Sequence, residues 1–211
     1  MFQPPVFRED RVEVMHDLMV RHPFAMLVSA AAGALSADHV PLVLRTDGSE
    51  FGMLQGHLSI GNPLYRKAEG EIEVLAAFQG PQTYITPSWY PSKQQHGKVV
   101  PTWNYAVVHA HGKLRFQNDP DWLMTHLAEL TGRHEAERSE PWAVTDAPQD
   151  FMAGQLKGLI GFEIEIRSLD GKWKVSQNRQ AQDREGVVVG LQGETDIQAQ
   201  HMSDLVREYA K

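Results

Sequence analysis

The segment TWNYAVVHAHGKLRF, residues 102–116, constrains the fold of this chain most strongly. Val108, Ala110 and Leu114 alternate along it with larger or more polar residues. Side chains on a β-strand point alternately to opposite faces, so a period of two predicts one long strand with two different surroundings. We expect this strand to lie near the centre of the sheet.

The other elements do not alternate regularly between strand and helix. Apolar or alternating runs predict strands at FAMLVSA, LSADHVPLVL, EFGMLQGHLS, IEVLAAFQG and LIGFEIEIRS, the last forming a hairpin with KWKVSQ across the turn LDGK. AAG and TDGS read as further turns. Helical spacing predicts helices after a capping box at Asp10, over NPLYRKA, from Asp119 to a stop at Gly132, over residues 148–157, and from Asp196 to Tyr209. This order favours a mostly antiparallel barrel with peripheral helices over a parallel sheet.

The chain shows no repeat, low-complexity tract or Gly/Ser linker. We therefore expect a single domain over residues 1–211, with an N-terminal helix, a helical insert near 119–157 and a helical tail at the C-terminus. The predicted fold class is mainly β with peripheral helices, an α+β arrangement.

Composition limits the classes of function. The chain has no cysteine, which excludes disulfides, thiolate metal sites and cysteine nucleophiles. It has neither a basic flank followed by an apolar run at its start nor eighteen consecutive apolar residues, so we expect a cytoplasmic protein outside the membrane. A formal charge of −7 opposes attraction to nucleic acid. Lys157, Lys172, Lys174 and Arg179 form a local basic group that suits one phosphate better than a duplex.

Two nearby blocks, YITPSWYPSK and VPTWNY, concentrate Tyr and Trp among Ser, Thr, Lys and Asn. Such rings offer flat contact surface and one polar group each, as a planar polar ligand requires. The alternative is that the rings pack a turn against the domain or line a subunit interface.

The block QGHLSIGNPLYRKA is a candidate phosphate pocket. A strand ends near His57, Ser59 and backbone amides follow, and a short helix begins near Asn62 with Arg66 and Lys67 one turn along. The alternative is an ordinary capped helix with solvated basic residues.

His109 and His111 lie two residues apart on a strand and therefore share a face. With a third ligand such as His39 or His57 they could bind a metal or a haem iron. A pair of this kind is more often a hydrogen-bonded strand surface, and we assign no metal ligand and no catalytic residue.

The blocks DHVPLVL, QGHLSIGNPLYRKA, FQGPQTYITPSWYPSK, VPTWNYAVVHAHG, MAGQLKGLIGFEIEI and GKWKVSQNR resemble those of the PaiB-type family of FMN-binding split-barrel proteins. This family is described as negative transcriptional regulators of protease production and sporulation. The resemblance runs from about Phe2 to about Leu191. It implies a six-stranded antiparallel split barrel similar to pyridoxamine-phosphate oxidase, usually a homodimer with flavin sites between the subunits.

The resemblance also implies a set of FMN contacts. The residues that would face the ring are His39, Val40, Pro41 and Leu42, and those that would approach the ribityl phosphate are Gln55, Gly56, His57, Ser59 and Lys67. The side of the site would be closed by Asn104, Tyr105 and His109, and the partner subunit would contribute Trp173 and Arg179. The chain departs from the oxidases at His39, where they carry Arg, and at the insert IGNPLY, which breaks a compact Ser-Arg-Lys run.

The resulting hypothesis is a homodimeric flavoprotein that represses protease and sporulation genes. A regulatory role would bring DNA in as a partner, although the charge argues against strong direct contact. The alternatives are a flavin-dependent oxidoreductase acting on a small aromatic substrate held near Trp89 and Tyr90, and a haem- or metal-handling split barrel that uses His109 and His111.

Overall fold

The structure is a computed structural model that describes residues 1–30, 34–46 and 48–210. Its strands are β1 (Arg8–Glu9), β2 (Phe24–Ser29), β3 (Ser36–Pro41), β4 (Val43–Arg45), β5 (Met53–Ser59), β6 (Ile72–Ile85), β7 (Thr102–Gln117) and β8 (Leu159–Lys174). Its helices are α1 (Val12–Arg21), α2 (Pro63–Arg66), α3 (Ser92–His96), α4 (Pro120–Glu135), α5 (Gln149–Leu156), α6 (Ala181–Gln192) and α7 (Ile197–Glu208). Short 3-10 turns occupy Pro5–Phe7, Pro87–Trp89 and Val144–Asp146.

The described strands form one sheet in the order β3-β2-β6-β7-β8-β5-β4, with β1 paired to β8. The registered pairs β1–β8, β2–β3, β2–β6, β4–β5 and β5–β8 are all antiparallel. The sequence prediction of a mainly β, antiparallel fold with peripheral helices is therefore confirmed. The long strand predicted from residues 102–116 is β7, which lies near the middle of the sheet.

The strand count is eight in the described residues, where six were expected. One extra strand is the two-residue β1. The other arises because LSADHVPLVL divides at Leu42, whose N–H donates to the carbonyl of Pro23. This hydrogen bond ends the β2–β3 ladder, and the chain then pairs with β5 from Val43.

The predicted hairpin at LDGK is wrong. β8 continues through this segment to Lys174 because its end pairs with β1, in the register Arg8↔Lys172 and Glu9↔Gly171. A Cβ on Gly171 would lie 2.7 Å from the carbonyl oxygen of Glu9, so glycine allows close approach of two strands here.

Two helix boundaries also differ from expectation. α4 continues past Gly132 to Glu135, and α1 begins at an N-cap, Arg11, that makes no side-chain capping bond. The Asp10 carboxylate instead accepts from Arg8. The helices predicted over NPLYRKA, residues 148–157 and the tail are confirmed by α2, α5 and α7. The predicted turn AAG, and Asp47 of the turn TDGS, lie outside the described residues.

The chain divides into two compact units. The terminal unit comprises Met1–His22, Phe78–His109 and Asp170–Lys211, and the central unit comprises Pro23–Ala77 and Ala110–Leu169. Each has a buried core, formed in the terminal unit by side chains that include Leu18, Ala106, Val187, Leu191 and Met202, and in the central unit by side chains that include Leu27, Leu54, Leu114, Phe162 and Ile164. In the described part of the chain, every helix is too short or too polar to span a bilayer.

Candidate functional site

Three basic side chains converge in the terminal unit. Lys172 and Lys174 are two residues apart on β8, and Arg179 follows in the loop before α6. Burial lowers the pKa of Lys174, and the charges of Arg179 and Lys172 lower it further, so Lys174 lies within electrostatic reach of both. The Lys174 ammonium donates to the carbonyl of Trp103 at 2.6 Å and to the hydroxyl of Thr102. We call Lys172, Lys174 and Arg179 the basic cluster.

Aromatic rings hold two members of the basic cluster. The Lys172 ammonium lies 5.3 Å from the ring centroid of Tyr105. The Arg179 guanidinium lies 4.8 Å from the ring centroid of Tyr90. Cations within about 6 Å of a ring face are attracted by its quadrupole. These contacts hold the two positive groups beside aromatic rings.

Two buried polar atoms beside the basic cluster have no hydrogen-bond partner among the described residues: Oδ1 of Asn104 and the hydroxyl of Tyr90. Asn104 uses its amide to donate to the hydroxyl of Ser176 at 2.9 Å. Burial raises the pKa of the Tyr90 hydroxyl, against the opposing effect of the Arg179 charge. Buried polar atoms normally find a partner, so Oδ1 of Asn104 is available to a water or a ligand group, whereas the Tyr90 hydroxyl lies beside the Arg179 side chain.

The backbone near these atoms is also unusual. Ser176 has a φ of 67° and is the one described non-glycine residue in the left-handed region. That conformation costs a non-glycine residue free energy and persists only where its surroundings impose it. Here the strained residue holds the amide of Asn104. Side chains on β7 and on the loop after β8 are thereby fixed relative to each other.

The WYPSK block is held by α6. Asp183, buried at the start of α6, accepts from the backbone N–H of Ser92 at 3.0 Å and from its hydroxyl at 2.8 Å. A Cβ on Gly190 would lie 2.3 Å from the ring of Trp89, so this glycine allows the indole to pack against the helix. Trp89 and Tyr90 therefore pack within the unit, as the alternative interpretation of the block predicted.

Tyr84 and Trp103 behave differently. They are 48% and 49% exposed, their ring centroids are 6.2 Å apart in an edge-on arrangement, and the Trp103 indole donates to Gln82 at 2.6 Å. The packing role considered from the sequence therefore holds for part of the aromatic block, and contact with a planar ligand stays a prediction for the rest. Part of it supports the site, and part of it offers exposed ring surface.

The predicted contacts of the central unit are largely occupied by the protein itself. Gln55 donates to Glu163 at 2.9 Å and accepts from Arg45 at 3.1 Å. His57 makes a hydrogen bond with His126 of α4 at 3.2 Å. Both predicted side chains therefore already have internal partners.

Other predicted residues of this unit are in its core. Val40 and Leu42 are buried, and a Cβ on Gly56 would lie 2.4 Å from the ring of Phe162. Only backbone atoms of these residues are candidates for contact with a ligand. His39 is exposed, with its ring centroid 5.9 Å from that of Phe24, and Pro41 is half-buried on the same strand.

The predicted phosphate residues Ser59 and Lys67 are exposed. The Ser59 hydroxyl accepts from the N–H of Gly61. Lys67 lines a cavity of about 370 Å³ that is also lined by three carboxylates, those of Glu69, Glu71 and Glu73. Glu71 and Glu73 also form ion pairs with Lys113, Arg115 and Arg167, so acidic and basic groups are mixed around Lys67. The basic cluster of the terminal unit is electrostatically the better place for a phosphate.

Of the predicted residues of the terminal unit, Arg179 belongs to the basic cluster, and Asn104 and Tyr105 adjoin it. Trp173 is buried and stacks on Tyr209 at 6.5 Å between centroids. His109 is half-buried on β7. In the part of the chain that the structure describes, no three His, Asp or Glu side chains are grouped so as to hold a metal ion.

The set of predicted FMN contacts omits four contributors to this site: Lys172, Lys174, Tyr90 and Ser176. The lysines carried a signal, since the basic group of four was recognised as suited to one phosphate. The unpaired hydroxyl of Tyr90 and the strained backbone of Ser176 carried none, because both depend on contacts between distant segments.

The donor set fits FMN. Three cations suit a phosphate, exposed and supporting rings suit a flat heterocycle, and an unpartnered amide oxygen suits a ring N–H. An antiparallel sheet with peripheral helices and such a site defines a flavin-binding split-barrel protein.

The chain belongs to the family described as "Putative FMN-binding domain", whose profile matches residues 1–168. FMN is accordingly its cofactor. The chain is 31% identical over 211 residues to "Protease synthase and sporulation protein PAI 2" of Bacillus subtilis, covering 100% of this chain and 99% of that protein. It is 32% identical over 243 residues to an uncharacterized protein of Emericella nidulans, covering 99% and 97%.

Solved structures support the fold. A FAD- and haem-binding protein from Mycobacterium smegmatis superposes with a TM-score of 0.58 at 18% identity, covering 79% of this chain and 73% of that one. A flavocytochrome from Azotobacter vinelandii gives 0.53 at 12% identity, covering 79% and 69%. At these identities the likeness concerns the fold alone.

Proposed function

We propose that this protein is a homodimeric FMN-binding regulator that represses genes for proteases and sporulation. The observation that carries the proposal is the match to "Protease synthase and sporulation protein PAI 2" of Bacillus subtilis, which extends over essentially the full length of both chains. A match of this extent favours a shared role more than a match to the flavin domain alone.

In this proposal the basic cluster holds the FMN phosphate. Lys174 and Arg179 supply charge-assisted hydrogen bonds, and Lys172 adds positive potential from its place over Tyr105. Oδ1 of Asn104 accepts from a ring N–H of the cofactor. Bound FMN supplies reversible electron and hydride chemistry, and the surrounding residues bind and orient it. His39 and Pro41 remain predicted ring contacts, from a second subunit or from the same one.

The open face of β2 and β3 supports the homodimer. Phe24 is 65% exposed, Met26 is 40% exposed, and Leu35 precedes β3 with its side chain largely in solvent. His39 pairs with Met26 in the register and packs against Phe24. A contiguous apolar surface on a sheet marks an interaction site. A second copy of the chain is the occupant we propose, because the resemblance to the split-barrel family implies a homodimer with flavin sites between the subunits.

The dimer is tested by sedimentation or light scattering of the wild type and of Phe24→Glu with Met26→Glu. We expect two subunits for the wild type and one for the variant. A monomeric wild type would contradict the proposal.

The phosphate assignment is tested by FMN titration, followed by flavin fluorescence. Lys174→Ala combined with Arg179→Ala is expected to weaken binding by at least about tenfold, since each charge-assisted bond contributes about 1.5–3 kcal/mol. Lys67→Ala is the matched control in the central unit and is expected to have little effect. Weaker binding by Lys67→Ala with unchanged binding by the double variant would instead assign the phosphate to the block at Ser59 and Lys67.

The regulatory role is tested with promoter fragments of protease genes. The net charge of −7 leads us to expect weak direct binding at physiological salt. We therefore expect repression in cells to depend on FMN occupancy, so that the Lys174 and Arg179 variant loses it. Strong promoter binding with a steep salt dependence would refute the argument from net charge. Unchanged repression by the variant would show that repression does not depend on bound FMN.

A flavin-dependent oxidoreductase is the second candidate, favoured by the exposed edge-on pair Tyr84 and Trp103. Exposed rings beside a flavin site provide a surface for a small aromatic substrate. The assay is NAD(P)H oxidation by the FMN-loaded protein with aromatic acceptors, in the wild type and in Trp103→Ala. Fast turnover that the substitution reduces, without any effect of the protein on promoters, would favour the enzyme over the regulator.

A further inference from the structure

A groove of about 540 Å³ lies in the terminal unit between α1 and α7. The two helices run antiparallel along it. At one end, the hydroxyl of Tyr209, just after α7, bonds to Glu9 and Arg11, just before α1. At the other end, His22 follows α1 and His201 lies in the first half of α7. Burial and the charge of Arg21 lower the pKa of His22 most, and His201 lies close enough for its charge to lower it further. The volume is within the range typical of small-molecule sites.

The floor of the groove is apolar. Val14 and Leu18 line it from α1, Leu205 lines it from α7, and Ala106 and Trp173 come from the sheet. Leu18, Ala106 and Trp173 are themselves buried in the unit. An apolar floor of this kind accommodates a hydrocarbon or aromatic body and excludes water from it.

The rims of the groove are charged, and the charge is graded along it. Glu13 and Glu208 line the end near Tyr209, whereas Arg21, His22 and His201 line the other end. Between them, Asp17 pairs with Arg21, and Asp204 pairs with Arg207. The end near Tyr209 is therefore the negative end.

Two features make the negative end unfavourable for the protein alone. Glu13 and Glu208 are like charges bordering one cavity. Glu208 also lies in the last turn of α7, where the helix dipole disfavours a carboxylate. A bound cation at this end would relieve both effects. The same carboxylates would repel a phosphate group at this end of the groove.

We propose that the groove between α1 and α7 binds a small organic ammonium compound, with its ammonium group between Glu13 and Glu208 and its apolar body over Leu18 and Ala106. This site is separate from the basic cluster. A regulator with two such sites would respond to an amine as well as to flavin.

The probe is phenethylamine, titrated by calorimetry into the full-length FMN-loaded protein. Its neutral counterpart, phenethyl alcohol, and its anionic counterpart, hydrocinnamate, have the same ring and a similar length. We expect the amine to bind at least about tenfold more tightly than either, with an affinity that falls as salt rises. Equal binding of amine and alcohol, or no amine binding up to millimolar concentration, would overturn the proposal.

The variant is Glu13→Gln combined with Glu208→Gln, and the control is Glu185→Gln. All three glutamates are exposed on helices, and Glu185 lies outside the groove, so neither variant threatens the core. We expect the double variant to lose the preference for amine over alcohol and the control to keep it. FMN affinity should be unchanged in both. Retention of the preference by the double variant would place the amine elsewhere and refute the site.

Discussion

A hydrogen-bonded pair of histidines in the central unit, of which His126 is buried and His57 half-buried, should make the protein sensitive to mild acid. Nδ1 of His57 lies 3.2 Å from Nε2 of His126, whose side chain is 2% exposed and stacks on Trp122 at 5.4 Å between centroids. Nδ1 of His126 has no partner among the described residues. An unfilled acceptor costs less than a buried unpaired N–H, so we assign the shared proton to Nε2 of His126. His57 then accepts through Nδ1 and keeps its own proton on Nε2.

A second proton on this pair would be unfavourable in the folded state. Burial is the main cause that lowers the pKa of His126, with smaller contributions from His57 and Arg45, and the result is about 4 against an ordinary value of 6.5. Burial also lowers the pKa of His57. The charged groups facing the pair are Arg45 from β4, Glu129 from α4 and Glu163 from β8. Glu129 is neutralised by Arg45, and Glu163 is committed to three donors.

The sign of the pH effect follows from the direction of this pKa change. The unfolded chain takes up a proton near pH 6.5, whereas folded His126 resists it down to about pH 4. Stability is therefore complete above about pH 6.5, falls as the pH drops through this window, and levels off below it. For one group the loss amounts to roughly 3 kcal/mol. This is a large fraction of the stability of a typical domain.

The assay is urea unfolding at a series of pH values between 4 and 8, for the wild type and His126→Gln. Glutamine retains an N–H that can donate to His57 but does not titrate. Carboxylates affect both proteins alike, so the difference between the two curves isolates His126. We expect the wild type to lose roughly 3 kcal/mol more than the variant on acidification. His134→Gln, an exposed histidine on the same helix, is the control. Parallel curves for wild type and His126→Gln would refute the reasoning.

Three further substitutions test the packing around the sites by chemical denaturation. Glu163→Ala removes the acceptor of three side-chain donors and should cost roughly 2–4 kcal/mol, whereas Glu165→Ala, exposed on the same strand, should cost little. An equal loss in both would show that the three donors contribute nothing. Gly190→Ala should cost roughly 1–3 kcal/mol because its methyl group would overlap the ring of Trp89. Gly132→Ala, with open space around its Cβ in α4, should instead stabilise by roughly 0.5–1 kcal/mol.

The parts of the fold that could be predicted from the sequence are those set by local pattern. The period of two over residues 102–116 identified β7, and the Asn62–Pro63 cap identified α2. The LDGK segment has an equally clear local signal for a turn, yet β8 passes straight through it. The reason is the pairing with β1, whose residues lie more than 150 positions earlier in the sequence, and no local pattern reports such a contact.

The helix α6 was not predicted from the sequence, because its local signal for a helix is weak. Its sequence, AQDREGVVVGLQ, contains two glycines and three valines, which are poor helix formers in isolation. Packing supplies what propensity lacks, since Gly190 allows Trp89 to lie against the helix and Asp183 anchors α3. Tertiary contacts therefore decide this element, and the same contacts hold the WYPSK block in place.

Local sequence pattern was also insufficient to identify the candidate phosphate site. The block at Ser59 to Lys67 has the local form of an anion pocket, with a strand end, a turn and a capped helix. The fold places Lys67 beside Glu69, Glu71 and Glu73 and pairs the last two with Lys113, Arg115 and Arg167, so its surroundings are of mixed charge.

The basic cluster has no compact motif, because Lys172 and Lys174 lie on a strand and Arg179 in the loop beyond it. Its supporting groups, Tyr90 and Asn104, lie some seventy residues or more earlier in the chain. A net charge of −7 conceals this positive site, since formal charge averages over surfaces that the fold separates. The choice between the two sites is therefore electrostatic, and it requires knowing which charges the fold brings together.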